Sequence, residues 1–460
     1  MDKMTIREIV KAVKGEVIKE GIETDYYSVS TDSRAIEENS VFIALKGANF
    51  NGNLFAAEAS FKGAKVCIID ELPVDLSQFQ SSAFVIKVQD CKRALLELAQ
   101  YYLSTLKLKV IGITGSTGKT STKDLVAAAL SSKYKVFKTK GNFNNEIGLP
   151  LMIFKLNKEY DIAVLEMGMS DFGEIHNLAD TARPDIAIIT NIGVSHLEYL
   201  KTRENILKAK MEIVDFFNKE NILIINNDND LLSTIENTEF DLVKTGFDNK
   251  HNDFYIKDYK TDNNFIEFIV KEKSGTEAFQ FHIDIVGKHN ISNSLLAIAC
   301  GRKLGLSFKE LQEGFKNIEA TSMRLDIVEN NNFTIIDDCY NASPDSMKAA
   351  IDVLAAIKGG RKIAVLGTMK ELGEEAYNMH KEIGTYAKAK NIDLLICLGE
   401  YRDAYESGFC SQYSFIGLSD NEEINNYLNK NILQGDCILV KASRSMKFEN
   451  IVSNLKKINC

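Results

Sequence analysis

"KVIGITGSTGKTSTKDLVAAAL", Lys109–Leu130, decides the reading of this chain. A short apolar run is followed by glycines at 112, 115 and 118 and then by a helical segment. Strand, glycine-rich turn and helix, in that order, bring backbone N–H groups and a helix N-terminus around one point, which attracts an anion. Lys119 is placed to reach the β- and γ-phosphates of a nucleotide, and the Thr120 hydroxyl to ligate Mg2+. The usual phosphate loop sets four residues between its first glycine and Gly-Lys-Thr. Here five residues separate Gly112 from Gly118, and two separate Gly115 from it. A glycine turn with no ligand is common between a strand and a helix. Lys-Thr directly at the helix start favours a triphosphate site.

Around this turn the apolar strands "KVIGI", "IAVLEM", "IAIITNI" and "NILIIN" alternate with helical segments, the pattern of a parallel sheet covered on both faces. The alternating "FYIKDY", "NFIEFIV" and "FQFHIDIV" then predict an antiparallel edge, and "NISNSLLAIACGRKLG" a helix stopped at a glycine. From about Thr321 a second alternation begins with "FTIID", "KIAVLG", "DLLICLG" and "DCILVKA". Its first helix, "SPDSMKAAIDVLAAI", has Ser343 as cap and Pro344 at the first position. Before Lys107, short strands ("SVFIAL", "KVCIID", "AFVIKV") mix with helices and end in "CKRALLELAQYYLSTL". The expected fold class is α/β in three domains. Residues 1–106 form a smaller N-terminal α/β unit, 107–320 a central doubly wound, mostly parallel phosphate-loop domain, and 321–460 a Rossmann-like α/β domain.

At 460 residues the chain is too long for one typical domain. A net charge of -9 argues against nonspecific nucleic-acid or anionic-membrane binding, which needs a basic surface. No run reaches transmembrane length, and "MDKMTIREIVKAVKG" reads as an amphipathic helix, lacking the apolar core of a signal peptide. Cys67, Cys91, Cys300, Cys339, Cys397, Cys410, Cys437 and Cys460 are scattered without a C-x-x-C, as expected of reduced thiols in a cytoplasm. The six histidines show no zinc spacing such as H-E-x-x-H. A monomer is the default expectation.

The variant "GITGSTGKT" resembles the ATP loop of the Mur ligases, the ATP-dependent amide-bond ligases of peptidoglycan precursor synthesis. The resemblance implies that Gly115, Ser116, Thr117, Gly118, Lys119, Thr120 and Ser121 bind ATP. "KGNFNNEIGLP" is similar to the family's second signature and implies Asn142 near the acceptor and Asn144 near the nucleotide, although Gly-Asn and Asn-Asn are also plain turn-formers. "VLEMGMSDFGEI" puts Glu166 at a strand's C-terminal end, where doubly wound sheets bind ligands and where a hard carboxylate suits Mg2+. "TNIGVSHLEYL" offers Asn191 on the substrate side and His196 near a second metal. "KAKMEIV" aligns Lys210 with the lysine that carries a carbamate in several members, a change that needs a neutral amine and yields a metal-binding anion. "GKHNISNSLLA" implies contacts of His289, Asn290 and Asn293 with adenine and ribose; both asparagines could equally be caps.

Arg324 sits just past the second joint, where family members reach the ATP phosphates from another rigid body. "IIDDCYNASPDSM" looks like one branch of the family, the ligases joining D-alanyl-D-alanine to UDP-N-acetylmuramoyl-tripeptide. It implies Asp338 and Asn341 at ATP and Tyr340 and Ser346 at substrate. "VLGTMKELGEEAYNMHKEIG" resembles that branch's L-G-D-M-x-E-L-G and later histidine, with Thr368 in place of the aspartate. "VKASRSMKFE" resembles its K-G-S-R, with Ala442 for glycine, and implies Lys441, Ser443 and Arg444 at substrate. "STDSRAIEENSVFIALKGANFNGNLFAAEASFKGA" is similar to the branch's uridine-nucleotide region and implies that Thr31, Asp32, Ser33, Arg34, Gly47, Asn51 and Gly52 hold that part of the substrate. Asn51-Gly52-Asn53 departs from the branch's D-G-H.

The implied activity is an ATP-dependent ligation through an acyl phosphate, with ATP and Mg2+ as cofactors. Lys119, Glu166, His196, Lys210 and Arg324 would be its catalytic groups, and Thr120, Glu166, His196 and carbamylated Lys210 its metal ligands. Two other readings stand beside it. One is a sister ligase adding a single amino acid, or glutamates to a folate; the Tyr340-Asn341-Ala342 string disfavours it. The other is a nucleotide-binding module without ligation, in which Glu166, His196 and Lys210 lack a joint purpose.

Overall fold

The computed structural model describes residues 1–458 except 73, 74, 237, 249, 320, 331, 412 and 413; Cys460 lies outside the described residues. They form two compact units: Met1–Gly112 with Tyr134–Ala187 and Glu212–Asn221, and Ile113–Lys133 with Ile188–Met211 and the chain from Ile222 onward.

In the first unit a five-stranded sheet runs in the order Glu16–Lys19, Phe84–Lys87, Ala64–Ile69, Ser40–Ile43, Ser28–Ser30. Its first pair is antiparallel and the rest are parallel. Ser40–Ile43 is buried throughout, which explains its continuous apolar run. The first helix is Ile6–Val13, shorter than the pattern predicts from Met1. Met4 instead bridges to Tyr26, and Thr5 closes a capping box with Glu8. Ile6, Ile9, Ala12 and Val13 turn inward at helical spacing. The helix Cys91–Ser104, capped by Asp90, is tied to residues further along by Tyr102 Oη donating to the Leu156 carbonyl at 2.6 Å and by Arg93 to Asp180 at 3.2 Å. The strands Val136–Lys138 and Ile162–Glu166 pair in parallel.

In the second unit, Thr190 N–H donates to the Thr114 carbonyl at 3.0 Å, joining the ends of two strands next to the glycine turn. The helix Lys119–Leu130 follows and packs on His289–Lys303 and Phe308–Phe315. At the last of these contacts Gly314 lies so close to Ala128 and Ala129 that a Cβ would come within 2.5 Å of their carbonyl oxygens. Ile222–Asn226, Asp241–Gly246 and Phe254–Thr261 are parallel neighbours, after which Phe254–Thr261, Ile266–Glu272 and Ala278–Ile283 form the expected antiparallel edge. A six-stranded sheet runs Asp326–Glu329, Thr334–Asp337, Cys437–Lys441, Lys362–Leu366, Leu394–Leu398, Phe415–Leu418. Only its first pair is antiparallel. The helix Pro344–Ala356 begins as the sequence predicts, with Ser343 at the cap and Pro344 at the first position. The fold is α/β with parallel sheets, and no helix among the described residues is long and apolar enough to cross a membrane.

Candidate active site

The glycine turn has the geometry its sequence implies. Gly115 and Gly118 have φ of 150° and 79°, values that side chains resist. A Cβ on Gly115 would fall 1.9 Å from Thr190 Oγ1, and one on Gly118 2.9 Å from Asn293 Oδ1. The loop is laced to the segment after Ile186–Ile189. Ser116 N–H donates to the Asn191 carbonyl at 3.0 Å, Thr117 N–H to Asn191 Oδ1 at 2.8 Å, and Gly193 N–H to Ser116 Oγ at 2.9 Å. Asn191, expected to face substrate, thus spends its amide on the loop. The helix starts at Lys119, whose Nζ donates back to the Gly115 carbonyl at 2.7 Å, while Thr120 is buried and Ser121 half-buried beside it. A helix N-terminus carries a partial positive charge that favours an anion.

Around the loop stand the other candidates of this unit. Asn293 Nδ2 donates to Asn290 Oδ1 at 2.9 Å, and Asn290 Nδ2 to the Val286 carbonyl at 2.7 Å. Burial holds the His289 imidazole below its ordinary pKa, keeping it neutral. Arg324 lies between two non-glycine residues in the left-handed region, Met323 (φ 61°) and Leu325 (φ 54°). It donates to Thr120 Oγ1 at 3.4 Å and covers the Tyr340 ring at 4.1 Å; the Arg444 guanidinium stands 5.9 Å from the same ring. The segment carrying Arg324 is pinned by Thr321, whose N–H and hydroxyl donate to Asp124 Oδ2 at 3.0 and 2.7 Å. A cavity of about 370 Å3 opens here, lined by Ser121, Asp124, Asn290, Thr321 and Arg324 among others, large enough for part of a nucleotide.

Beyond Tyr340, the Asp338–Lys441 pair is buried and Asn341 is exposed. Ser346 Oγ accepts the Ser343 N–H at 2.9 Å, so this residue completes a helix cap. Ser443 Oγ accepts the Lys370 N–H at 2.9 Å. Cys339 is a packing residue: burial, then the Asp337 carboxylate, push its thiol up, so it is no nucleophile. Thr368 and Ala442, where the resembled branch has aspartate and glycine, are both buried.

Lys210 is fully buried on the helix Arg203–Met211. Burial first, then the nearby Lys119 charge, hold its pKa well below the usual lysine value. His196, at φ 65°, brings Nδ1 to 2.5 Å from Glu371 Oε2, and Glu198 N–H donates to the Glu371 carbonyl at 3.1 Å. The histidine and its charge hold the Glu371 carboxyl below the ordinary range. Sequence reasoning did not assign Glu371; its one signal was its place in the "KELG" string.

In the first unit Glu166 is buried at its strand end, where Oε1 accepts the Asn144 amide at 2.9 Å and its own N–H donates to Thr139 Oγ1 at 3.1 Å. Asn144 is fixed in turn by Gly168 N–H donating to its carbonyl at 2.8 Å, while Asn142 is exposed. Arg34 clasps Asp32 with Nε and Nη2 at 2.9 and 2.8 Å; these bonds draw the Asp32 carboxyl down to about 2. Thr31 and Ser33 are half-buried on either side. Gly47 lies exposed on the hairpin with Phe50–Asn51. The Asn51-Gly52-Asn53 turn holds itself. Asn51 Oδ1 accepts from the Asn53 N–H at 3.0 Å, fully buried Asn53 donates to Asp70 Oδ1 at 2.7 Å, and Gly52 N–H reaches the Leu45 carbonyl at 2.8 Å.

Among the described residues no group of three or more His, Cys, Asp or Glu could hold a metal ion. The Thr120 hydroxyl in the second unit and the Glu166 carboxylate in the first are each hard oxygens of the kind that suits Mg2+, which keeps phosphate and water in its shell.

Three family models match the chain: the Mur ligase family catalytic domain over residues 25–102, the Mur ligase middle domain over 113–301, and the Mur ligase glutamate ligase domain over 323–444. The UDP-N-acetylmuramoyl-tripeptide--D-alanyl-D-alanine ligase of Bacillus subtilis (strain 168) is 38% identical over 461 residues, 99% of each chain. A crystal structure of MurF from Acinetobacter baumannii matches with a TM-score of 0.91 at 28% identity, covering 100% of both chains. MurF ligase from Thermotoga maritima in complex with ADP matches with a TM-score of 0.82 at 29% identity, covering 94% of this chain and 97% of that one.

Proposed function

The chain belongs to the Mur ligase family, and we infer that it is the ATP-dependent ligase that forms an amide bond between UDP-N-acetylmuramoyl-tripeptide and D-alanyl-D-alanine. The observation that carries this reading is the identity to a ligase of that name over 99% of both chains. It supplies both substrates at once, where the phosphate loop alone supplies only a nucleotide.

The reaction has two steps. A carboxylate oxygen of the tripeptide attacks the γ-phosphorus of ATP, the bond to the β-γ bridging oxygen breaks, and ADP leaves. The amine nitrogen of D-alanyl-D-alanine then attacks the acyl-phosphate carbon, phosphate leaves with the bonding pair, and the nitrogen gives up its proton. Three anionic groups must come together, so the protein's work is positioning and charge neutralisation.

The turn from Gly115 to Ser121, with the N-terminus of its helix and the Lys119 ammonium, holds the β- and γ-phosphates. His289, Asn290 and Asn293 receive adenine and ribose, and Asn144, Ser121, Asp338 and Asn341 add further contacts to ATP. Arg324 brings a further cation to the phosphates. Thr120 and Glu166 would hold Mg2+, and His196 and carbamylated Lys210 a second ion; such ions neutralise phosphate charge. Thr31–Arg34, with Gly47, Asn51 and Gly52, take the uridine nucleotide. Tyr340, Ser346, Ser443 and Arg444 face the peptide substrates. We keep the division into 1–106, 107–320 and 321–460, a cytoplasmic setting and a monomeric state as parts of the same proposal.

A ligation assay with ATP, D-alanyl-D-alanine and a series of UDP-peptides tests this reading. Phosphate release that needs both the UDP-tripeptide and the dipeptide supports it; release with a single amino acid in place of the dipeptide sinks it.

A further inference from the structure

Lys441 ends the strand Cys437–Lys441 with a side chain only 2% exposed. Its ammonium has three protons to donate, and three oxygens receive them: Asp338 Oδ2 at 2.5 Å, the Asn341 carbonyl at 2.9 Å and the Asp338 carbonyl at 3.4 Å. No donor remains for a substrate carboxylate. Burial draws the Lys441 pKa down against the pull of Asp338, so these acceptors are what sustain a charge at this depth.

The neighbours of those acceptors give the pair its meaning. Asp338 Oδ1 accepts the Leu325 N–H at 3.2 Å, and Leu325 directly follows Arg324. Asn341 directly follows Tyr340, over whose ring the Arg324 guanidinium lies at 4.1 Å. Lys441 therefore holds Asn341, next to Tyr340, directly, and Leu325, next to Arg324, through Asp338. Met323 and Leu325, at φ 61° and 54°, hold a backbone conformation that persists in non-glycine residues only where the surroundings over-determine it.

We propose that Lys441 is a positioning residue and not a substrate ligand: through Asp338 and Asn341 it fixes Arg324 over Tyr340 and sets where that guanidinium stands toward the phosphate loop. The effect on turnover rests on the ligase reading; the effect on the backbone does not.

Hydrogen exchange at the Leu325 amide and ligation kinetics, both on the full chain, test it with Lys441→Met. Leu325 exchange rises by about tenfold or more as its acceptor is freed to move. The kcat falls by about 10- to 100-fold, the order expected when a catalytic group shifts by about 1 Å, while KM for the dipeptide changes little. In an Arg324→Ala background the same substitution lowers kcat no further. The double variant Lys441→Met/Asp338→Asn leaves no unpaired carboxylate, keeps the fold and shows the same loss of kcat. A raised KM for D-alanyl-D-alanine at unchanged kcat, with Leu325 protection intact, makes Lys441 a substrate ligand and overturns the proposal. An undiminished effect in the Arg324→Ala background overturns it as well. If the wild-type chain fails to ligate, the ligase reading falls and the exchange measurement alone decides the clamp.

Discussion

Asn191 holds Thr117 by both ends of its amide: Oδ1 accepts the Thr117 N–H at 2.8 Å, and Nδ2 donates to Thr117 Oγ1 at 2.7 Å. A backbone N–H can only donate, so the amide orientation is settled by its partner. Thr190 adds a hydroxyl bond to the Thr117 carbonyl at 2.5 Å. The glycine turn is therefore shaped by the protein's own hydrogen bonds, and a loop held in this way spares a ligand the cost of ordering it. Asn191→Ala should raise KM for ATP and lower kcat/KM by about 10- to 100-fold. Asn191→Asp, which keeps the acceptor and loses the donor, should fall between it and wild type. Steady-state kinetics with ATP varied checks the order; an Asn191→Ala enzyme with unchanged KM for ATP would place this side chain elsewhere in the reaction.

Lys119 starts the helix and reaches back to the Gly115 carbonyl at 2.7 Å. In the proposed mechanism its charge serves the transferring phosphate, where a single such group commonly contributes about 10²–10³ in rate. Lys119→Ala should lose at least that much turnover while its unfolding midpoint stays close to wild type. Retained ligation in this variant would remove the loop from the mechanism.

Arg34 forms a two-bond clasp with Asp32 on an exposed turn. An exposed pair contributes little to stability, so Arg34→Ala should leave thermal unfolding unchanged and raise KM for the UDP-peptide. Separate titrations of the two substrates decide the matter: a fall in kcat alone would mean that Arg34 acts on the chemical step.

How much of this was legible in the sequence follows from range. The glycine turn before its helix, the helix cap at Ser343 and the antiparallel edge are local patterns, and the structure has them where the sequence implies. The strands Glu16–Lys19, Ser28–Ser30 and Asp326–Glu329 were not legible: each is three or four residues long, and none is fully buried, so neither an apolar run nor a clear alternation marks it. Partner choice was hidden for another reason. Lys441 finds Asp338 across 103 positions and Asn191 finds Thr117 across 74. Motif resemblance marked all four as functional, yet only packing shows that two of the side chains, Asn191 and Lys441, spend their hydrogen bonds on the protein itself.

His380, the later histidine of the "VLGTMKELGEEAYNMH" string, illustrates the same point and carries a pH prediction. Its side chain is fully buried, Nε2 accepts the Met369 N–H at 2.9 Å, and the ring stacks on Tyr401 at 4.5 Å. Burial pushes its pKa from 6.5 down to about 4. Between those values the unfolded chain binds a proton that the folded chain refuses, so stability is full above about pH 6.5 and drains away as pH falls to about 4. At 1.36 kcal/mol per unit the loss is on the order of 3 kcal/mol. His380→Gln can still accept the Met369 N–H but does not titrate. Urea unfolding at pH 7.5 and pH 4.5 should show a smaller acid-induced loss for the variant than for wild type; equal losses would assign the acid sensitivity to other groups.

Lys210 makes the sharpest chemical prediction. Its amine is buried, has no anionic partner among the described residues, and faces the repulsion of the Lys119 charge. Both causes lower its pKa, so at neutral pH the folded protein holds a larger neutral fraction than an exposed lysine would. A neutral amine is the form that adds to CO2: nitrogen attacks the carbon, a proton leaves, and a carbamate anion remains. The product replaces a cation repelled by Lys119 with an anion attracted to it, while burial disfavours either charge. Protein equilibrated with 13C-bicarbonate should show a carbamate carbon signal in NMR that Lys210→Ala lacks. Removing dissolved CO2 should lower ligation by about 10²-fold, the order of one charge-stabilising group, and added bicarbonate should restore it. A wild-type spectrum without that signal, together with turnover indifferent to bicarbonate, would show that the buried amine serves unmodified.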